Sequence, residues 1–469
     1  MLTLAILSII LLLGVLFLVY CYVGFSRTAS SQRRRPNVTR LPDVTKPFRE
    51  RGKITRIAIA GLSLAIPAAT FAQTSSPAGS QTNPPATAAS TPVASAPQAT
   101  ATNPANGTPA PAPLALPAMV GPLSTASPRT FDAGPLGKLD VTGILSGFGS
   151  WQSYPSPGDK GARADISNAQ IFIQKTNGFV QYYLQAGAYN IPALGTPTIS
   201  TRNTISDFFG PLPQAYLKLA PKGNFSFLIG KLPTLIGAED TFTFENLNIE
   251  RGLLWNQENS VNRGMQVNYS KGKLSGSLAW NDGFYSNRYN WLTGALTDAI
   301  NSANSVEFVA GGNLGTTGYS SAATPLYQNN GAIYALVYTH TAKRWMVDPY
   351  LQYTYVPQSA RIGAGRATSA LGGAILGNYT FTPHVSLAGR AEYISSSGNS
   401  TDGAVNLLYG PGSDAWSLTV TPTYQNNAFF ARGEFSFSQA VNTTSGDAFG
   451  ANGRNSTQVR GMIETGFMF

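Results

Sequence analysis

The chain has 469 residues, of which only 12% are charged, and it contains 48 glycines, 24 phenylalanines and 21 tyrosines. A soluble domain has about 25% charged residues, so this composition disfavours one and suits a barrel with an apolar lipid face and a polar, mostly uncharged inner face. Ten of the 32 basic but only two of the 22 acidic residues precede Gln73, which leaves 22 and 20 in the rest of the chain. The formal net charge of +10 therefore predicts no nucleic-acid partner.

Two export-like segments come first. Residues 2–25 are uncharged, almost wholly apolar and long enough to span a bilayer as a helix. A second pattern has basic residues at 51–56, a short apolar run at 57–66 and a small-residue cleavage site ending at Ala72. We expect residues 51–72 to be a signal peptide. Residues 1–50 are an apolar segment plus a basic stretch, and two explanations for them stay open. Either the translation start is assigned too far upstream, or the segment is an inner-membrane helix that is removed with the signal.

Residues 73–135 are rich in Pro, Ala, Ser and Thr, with no period and almost no charge. Such a segment cannot bury enough apolar surface to offset the entropy lost on ordering. We therefore expect a disordered periplasmic tether. A cell-wall-binding segment is the alternative, although the aromatic or basic anchors for binding are missing.

From residue 136 to 469 the connections between strand-like segments are alternately short and long. The short connections lie at 175–178, 220–223, 270–273, 340–343, 381–384 and 425–428, and the long ones lie at 154–163, 191–212, 236–262, 286–330, 358–367, 397–414 and 441–456. Bacterial outer-membrane barrels have short periplasmic turns, long external loops and even strand numbers. The pattern predicts an all-β fold, a closed antiparallel transmembrane β-barrel of 14 strands. The alternative number is 16, because residues 305–314 within the connection 286–330 could be a strand and the total is expected to be even.

Period-two alternation assigns the two faces of these strands. Leu418 and Val420 alternate with Thr419 and other polar residues, and the final strand to Phe469 alternates in the same way. An arginine on the lipid face costs about 2–4 kcal/mol at mid-membrane, so arginines on the polar parity are expected to point inward. The inward residues are Ser, Thr, Gln, Asn, Arg and Glu, which predicts a water-filled path for small hydrophilic solutes and no chemistry.

The long connection 236–262 differs from the others because it is acidic. It follows the fifth predicted strand, and in general porins the loop in this position folds into the lumen. We expect it to narrow the lumen and tune ion selectivity; an exposed acidic surface loop is the alternative. The expected constriction comprises loop residues Glu239, Asp240, Glu245, Glu250, Arg251, Glu258 and Arg263, and wall residues Arg390, Glu392, Arg432, Glu434, Arg460 and Glu464.

Short motifs around this loop resemble one known family. They are Gly230-Lys231-Leu232-Pro233-Thr234, Gly237-Ala238-Glu239, Arg251-Gly252-Leu253-Leu254 and Asn262-Arg263-Gly264. The chain resembles, over about residues 136–469, the second class of putative β-barrel porins of Gram-negative outer membranes. The resemblance implies an exported, porin-like outer-membrane barrel and carries no substrate residues. The aromatic C-terminal strand resembles that of other outer-membrane barrels, which implies outer-membrane lipid and the barrel-assembly machinery as partners; a homo-oligomer stays open.

Three other functions compete with a porin. An enzyme would need a histidine near the external rim or the lipid face, but the only two histidines, His340 and His384, fall at predicted periplasmic turns. We therefore predict no catalytic residues, no metal site and no cofactor. A hydrophobic-substrate transporter of the fatty-acid type and a structural or adhesive barrel remain alternatives.

Overall fold

A computed structural model describes residues 121–125 and 127–469 of the chain. The predictions for residues 1–50, for the signal peptide 51–72 and for most of the tether lie outside these residues. Seventeen strands occur in the described part. They are β1 (Arg129–Asp132), β2 (Lys138–Gln152), β3 (Ala162–Lys175), β4 (Val180–Tyr189), β5 (Gln214–Leu219), β6 (Phe225–Pro233), β7 (Val261–Lys271), β8 (Leu274–Asn281), β9 (Trp291–Asn301), β10 (Asn304–Asn313), β11 (Ala332–Thr341), β12 (Trp345–Val356), β13 (Thr368–Thr382), β14 (Val385–Ser396), β15 (Asp414–Asn426), β16 (Phe429–Val441) and β17 (Thr457–Met468).

Strands β2 to β17 form a closed antiparallel barrel. Each pairs with the next along the chain, and β17 pairs with β2, where Arg460 lies opposite Gln152 and Met468 opposite Ile144. The short strand β1 pairs with the start of β2 and lies outside this ring. The barrel therefore has 16 strands, and the prediction of 14 was wrong while its stated alternative is confirmed.

The two strands left out of the count of 14 are β9 and β10, which lie within the predicted loop 286–330, and β10 coincides with the candidate strand 305–314. They pair with each other, with Thr297 opposite Glu307. The turn between them, Ser302 and Ala303, contains neither Gly nor Pro. Those residues are the usual markers of a tight hairpin, so this connection was not recognised as a turn.

The helices are short and lie in the connections. They are the α-helices Thr201–Asp207 and Leu326–Asn329 and the 3₁₀ turns Gly134–Leu136, Thr243–Glu245, Leu254–Gln257 and Ala360–Ile362. The hydroxyl of Ser200 caps the first α-helix by accepting a hydrogen bond from the Asn203 N–H. Within residues 121–125 and 127–469, none of the helices combines the length and hydropathy needed to cross a membrane.

One face of the strands is exposed and apolar. Ile463 on β17 is 66% exposed, whereas its neighbour Glu464 is fully buried. The same alternation holds for Leu418 and Thr419 on β15. Large aromatic side chains near the strand ends, such as Trp151 and Trp345, are also exposed. This is the arrangement expected of a lipid-facing surface with aromatic girdles.

The buried face is not uniformly polar, which differs from the sequence-based expectation. On β10 to β14 it carries aliphatic side chains that pack with loop residues in one cluster. The aliphatic residues are Val309, Ile333, Ala335, Val337, Ala370, Ala374, Leu376, Ala388 and Ile394 from the strands, and Ile236, Leu247, Leu253 and Leu254 from the connection between β6 and β7. Part of the buried face of these strands is apolar because it is covered by protein, although β14 also carries the buried Arg390 and Glu392 on that face.

Candidate functional site

The acidic connection between β6 and β7, residues 234–260, is named loop 3 below. It contains the 3₁₀ turns Thr243–Glu245 and Leu254–Gln257 and is mostly buried. Phe242 and Phe244 are completely buried and belong to a second apolar cluster with residues of the strands. Apolar burial therefore fixes both halves of the loop against the barrel.

Arg432 on β16 holds the middle of loop 3 by its backbone. Its guanidinium donates to the carbonyls of Thr243, Asn246 and Leu247, each at 2.9 Å. Glu464, which lies opposite Arg432 in the register of β16 and β17, forms an ion pair with it at 3.4 Å. The same carboxylate accepts a hydrogen bond from the Thr243 hydroxyl at 2.7 Å. Both charged side chains are buried, so loop 3 is their main partner.

Arg390 on β14 makes a second set of contacts with loop 3. It pairs with Glu239 of the loop and, at 3.2 Å, with Glu392 of its own strand. It also donates to the carbonyl of Glu250 at 2.8 Å. The other oxygen of Glu239 accepts from the backbone N–H of Gly252 at 2.8 Å. One buried arginine thus connects the beginning and the middle of the loop.

The strand carboxylates accept backbone N–H groups of loop 3. Glu392 accepts from Leu253 at 3.0 Å and from Leu254 at 3.3 Å. Glu434 accepts from Ile249 and, at 3.0 Å, from Glu250. Hydrogen bonds from backbone N–H to a carboxylate are among the stronger hydrogen bonds in proteins. The wall therefore binds the loop through its acids as well as through its arginines.

Arg460 on β17 joins loop 3 to the preceding long connection. It pairs with Glu250 at 2.8 Å and donates to the carbonyls of Ala193 at 2.9 Å and Thr196 at 2.6 Å. At the far end of loop 3, the Tyr350 hydroxyl on β12 donates to Glu258 at 2.5 Å. Loop 3 consequently contacts strands on a large part of the barrel circumference.

Arg263 is the predicted site residue that lies apart from this set. It forms an ion pair with Asp282 at 2.8 Å, and its guanidinium carbon lies 3.9 Å from the centroid of the Tyr285 ring. Its side chain is also more exposed than those of Arg390, Arg432 and Arg460. The remaining predicted residues meet around loop 3, including Glu245, whose carboxylate caps the Phe242 N–H at 2.9 Å.

Burial changes the protonation of the loop carboxyls, which lie outside the membrane-spanning strands. It raises the pKa of Asp240 to about 7, with a further contribution from the charge of Glu239. Burial also raises the pKa values of Glu245 and Glu258 well above the usual range. For Arg251, burial lowers the pKa to about 10 against the opposing effect of nearby carboxylates. The charge of loop 3 thus depends on pH near neutrality.

The segment 121–125 also reaches loop 3, which no feature of the sequence indicated. The backbone N–H of Gly121 donates to the carbonyl of Glu245 at 2.9 Å, and Leu123 is buried in the same apolar cluster as Phe244. Ser124 exchanges hydrogen bonds with the side chain of Gln425 near a short turn. The segment lies within the predicted tether 73–135, but its Pro- and Ser-rich surroundings carry no periodicity that would predict contact.

Neither histidine is part of this site. His340 contacts Asn304, and His384 contacts the carbonyl of Gln425, both beside short turns. Among residues 121–125 and 127–469, there is no group of three or more His, Cys, Asp or Glu side chains arranged to hold a metal ion.

Solved structures share the barrel architecture at low sequence identity. An anion-selective porin from Comamonas acidovorans has 9% identity and a TM-score of 0.50, covering 71% of this chain and 99% of its own. The outer membrane channel DcaP of Acinetobacter baumannii has 12% identity and a TM-score of 0.49, with 73% and 100% covered. In-vitro folded OmpT of Vibrio cholerae has 11% identity and a TM-score of 0.47, with 71% and 97% covered. The first of these likenesses shows the fold alone.

No curated protein sequence matches the chain. One family model does match, described as putative beta-barrel porin-2, OmpL-like, and it covers residues 138–469. That range contains the whole barrel and all of loop 3. The chain therefore belongs to this family of β-barrel porins and is a protein of the bacterial outer membrane.

Proposed function

We propose that the protein is a channel for passive diffusion of small hydrophilic solutes across the outer membrane, that it performs no chemistry, and that loop 3 narrows its lumen. The observation that carries the proposal is the hydrogen bonding of loop 3 to buried charged side chains on β14, β16 and β17. These side chains lie on the strand face opposite the exposed apolar residues. A loop that is hydrogen-bonded to that face takes up part of the cross-sectional area inside the barrel.

The charge of loop 3 predicts a preference for cations. Carboxylates around a narrow passage attract cations and repel anions. Loop 3 carries five carboxylates and only one arginine, Arg251. Arg390 and Arg460 pair with two of these carboxylates, Glu239 and Glu250, so we expect the cation preference to increase when Asp240 ionises.

Planar-bilayer recordings test this function. Glu245 and Glu250 are each replaced by Gln. Loss of the Glu250 carboxylate should lower the ratio of cation to anion permeability at neutral pH, and loss of Glu245 should do so at a pH high enough to ionise it. Asp447→Asn is the matched control, since Asp447 is exposed in the last long connection. Single-channel currents and selectivity that stay unchanged in both glutamate variants would contradict a role of loop 3 in the passage.

Liposome swelling distinguishes the channel from its alternatives. The apolar cluster on β10 to β14 is the one observation that favours a transporter of the fatty-acid type, but in the described residues it is filled by Leu247, Leu253 and Leu254 of loop 3. We expect swelling with small sugars and no dependence on long-chain fatty acids. A sealed barrel would instead favour a structural or adhesive function.

The C-terminal strand is expected to direct assembly. Phe469 exchanges two backbone hydrogen bonds with Gly143, at 2.6 and 2.9 Å, and its ring is exposed. We infer that the barrel-assembly machinery recognises this aromatic end. Deletion of Phe469 should lower the amount of heat-modifiable barrel in outer membranes, and cross-linking in the same membranes would establish whether the barrel forms a homo-oligomer.

A further inference from the structure

We propose that loop 3 contains a binding site for zwitterionic α-amino acids, in which Arg251 binds the solute carboxylate and free carboxylate oxygens of the loop bind its ammonium group. The inference rests on the proposed function of loop 3 as the narrow part of the channel, and it names the class of solute that this part selects.

Arg251 is a buried cation whose hydrogen bonds are not made within the described protein. Its side chain is completely buried, and none of its three guanidinium nitrogens has a hydrogen-bond partner among residues 121–125 and 127–469. The indole N–H of Trp255 also lacks a partner there, and the centroid of its ring lies 5.4 Å from the guanidinium carbon. Burying an unpaired guanidinium costs several kcal/mol, so these donors require an oxygen acceptor.

The nearby carboxylates do not supply that acceptor. Glu239 already binds Arg390 and a backbone N–H. One oxygen of Glu250 pairs with Arg460. Neither carboxylate accepts a hydrogen bond from Arg251, which is left with five N–H donors in a planar fork that matches the two oxygens of a carboxylate.

The backbone fixes where Arg251 stands. Its N–H donates to the carbonyl of Pro192 at 3.1 Å, and its carbonyl accepts from Leu194 at 2.9 Å. These two bonds form an isolated parallel bridge between loop 3 and the connection after β4. The arginine is therefore held at a defined position before any solute arrives, which lowers the ordering cost of binding.

Loop 3 also carries acceptor atoms without donors. They are Asp240 Oδ2, Asn248 Oδ1, Glu250 Oε2 and Glu258 Oε2. An ammonium group has three donors and no acceptor, so it complements these oxygens. The same loop thus presents unused donors and unused acceptors.

The charge balance selects a solute that carries both signs. Because Glu245 and Glu258 have raised pKa values and are protonated near neutral pH, the other buried ionisable residues around loop 3 are five carboxylates and four arginines. They are Glu239, Glu250, Glu392, Glu434 and Glu464, and Arg251, Arg390, Arg432 and Arg460. A free anion would enter an environment with excess carboxylates, and a free cation would leave Arg251 unpaired. A zwitterion adds no net charge and pairs with both sets.

A solute would approach this site past the side chain of Trp255. Trp255 and Asn256 are only partly buried, whereas the guanidinium beneath Trp255 is enclosed. We infer that a solute reaches Arg251 from the side of the Trp255 indole ring. The close packing around the loop favours amino acids with small side chains, and glycine is the simplest probe.

Calorimetric titration of the full chain in detergent micelles at neutral pH tests the site. Glycine carries both charges, whereas acetate and methylamine each carry one, so we expect binding of glycine and at least tenfold weaker binding of the other two. Arg251→Met should abolish the glycine signal. Trp255→Phe should weaken it roughly threefold to tenfold through loss of one N–H donor. Arg361→Met is the matched control, because Arg361 is exposed in the connection after β12.

The titration is independent of channel activity, which is measured separately as KCl conductance and sugar-driven swelling. Glycine binding without conductance would reject the channel and keep the site; conductance without a glycine-specific signal would reject the site and keep the channel. If Arg251→Met fails to fold, Arg251→Lys and Trp255→Phe decide, since Lys keeps a long cationic side chain without the planar fork and Phe keeps an aromatic ring without the N–H donor. Equal binding of glycine by these variants and the parent chain, or no binding by the parent, means that ordered water alone satisfies Arg251 and overturns the proposal.

Discussion

Replacement of Arg432 by Met should release loop 3 without unfolding the barrel. Met has a similar reach but no donors, so the carbonyls of Thr243, Asn246 and Leu247 lose their hydrogen bonds and Glu464 loses its ion pair. Removing one partner of a buried ion pair costs about 3–5 kcal/mol. The free energy of local opening of the loop should fall by that amount, which corresponds to roughly 200- to 5,000-fold more frequent opening.

Hydrogen exchange measures this opening directly. The N–H groups of Ile249 and Glu250 are bonded to Glu434 in the closed loop, and their exchange should accelerate by the same factor while strand amides keep their protection. Single-channel conductance should increase because the cross-section held by loop 3 becomes available to ions. Arg454→Met is the control, since Arg454 is exposed in the last long connection. Unchanged exchange at Ile249 and Glu250 in a folded Arg432→Met variant would refute the assignment of Arg432 as the main anchor.

Three further changes test other parts of the site. Raising the pH through about 7 should ionise Asp240 and so increase cation selectivity. Protection of the loop amides from hydrogen exchange should decrease at the same time, because a carboxyl group with a raised pKa stabilises the folded loop only while it is protonated. The Asp240→Asn variant should show neither change. Leu123→Ala should weaken the contact of segment 121–125 with loop 3 by about 2–4 kcal/mol, and limited proteolysis near residue 121 would detect it. Leu253→Ala should cost about 2–4 kcal/mol of loop stability, and exchange at Leu254, whose N–H is bonded to Glu392, would report it.

The sequence was sufficient to predict which face of a strand is buried where period-two alternation is accompanied by charged residues. On β16, Arg432 and Glu434 mark the buried face, because a charge on the lipid side is expensive, and Phe435 marks the exposed face. The same reasoning failed on β11, where Ile333 and Leu336 are both aliphatic but face opposite sides. An aliphatic residue carries no information on whether lipid or a protein loop covers it, so the apolar inner cluster could not be predicted.

The sequence indicated most of the charged residues that meet around loop 3, although Arg263 lies apart from them, but it did not indicate their contacts. An acidic loop after the fifth barrel strand and inward arginines were evident from composition and parity. Which arginine meets which carbonyl depends on the path of loop 3 across the barrel, and Arg432 contacts Asn246 across 186 positions of sequence. No local pattern encodes such a pairing. The contact of Gly121 with Glu245 is even harder to predict from sequence, because it joins loop 3 to a segment without any periodicity.

The geometry of the wall arginines also changes where selectivity is expected to arise. An arginine that donates to loop carbonyls and pairs with protein carboxylates, as Arg390 and Arg432 do, has few donors left for a passing ion. Groups with unused atoms are the ones that can exchange partners with a solute, and in loop 3 these include Arg251, Asp240 and Glu258. We therefore expect the wall charges to set the position of loop 3 and the loop charges to determine which solutes pass it. Neutralising a wall arginine should alter loop mobility first, whereas neutralising Arg251 should alter solute preference while the loop stays in place.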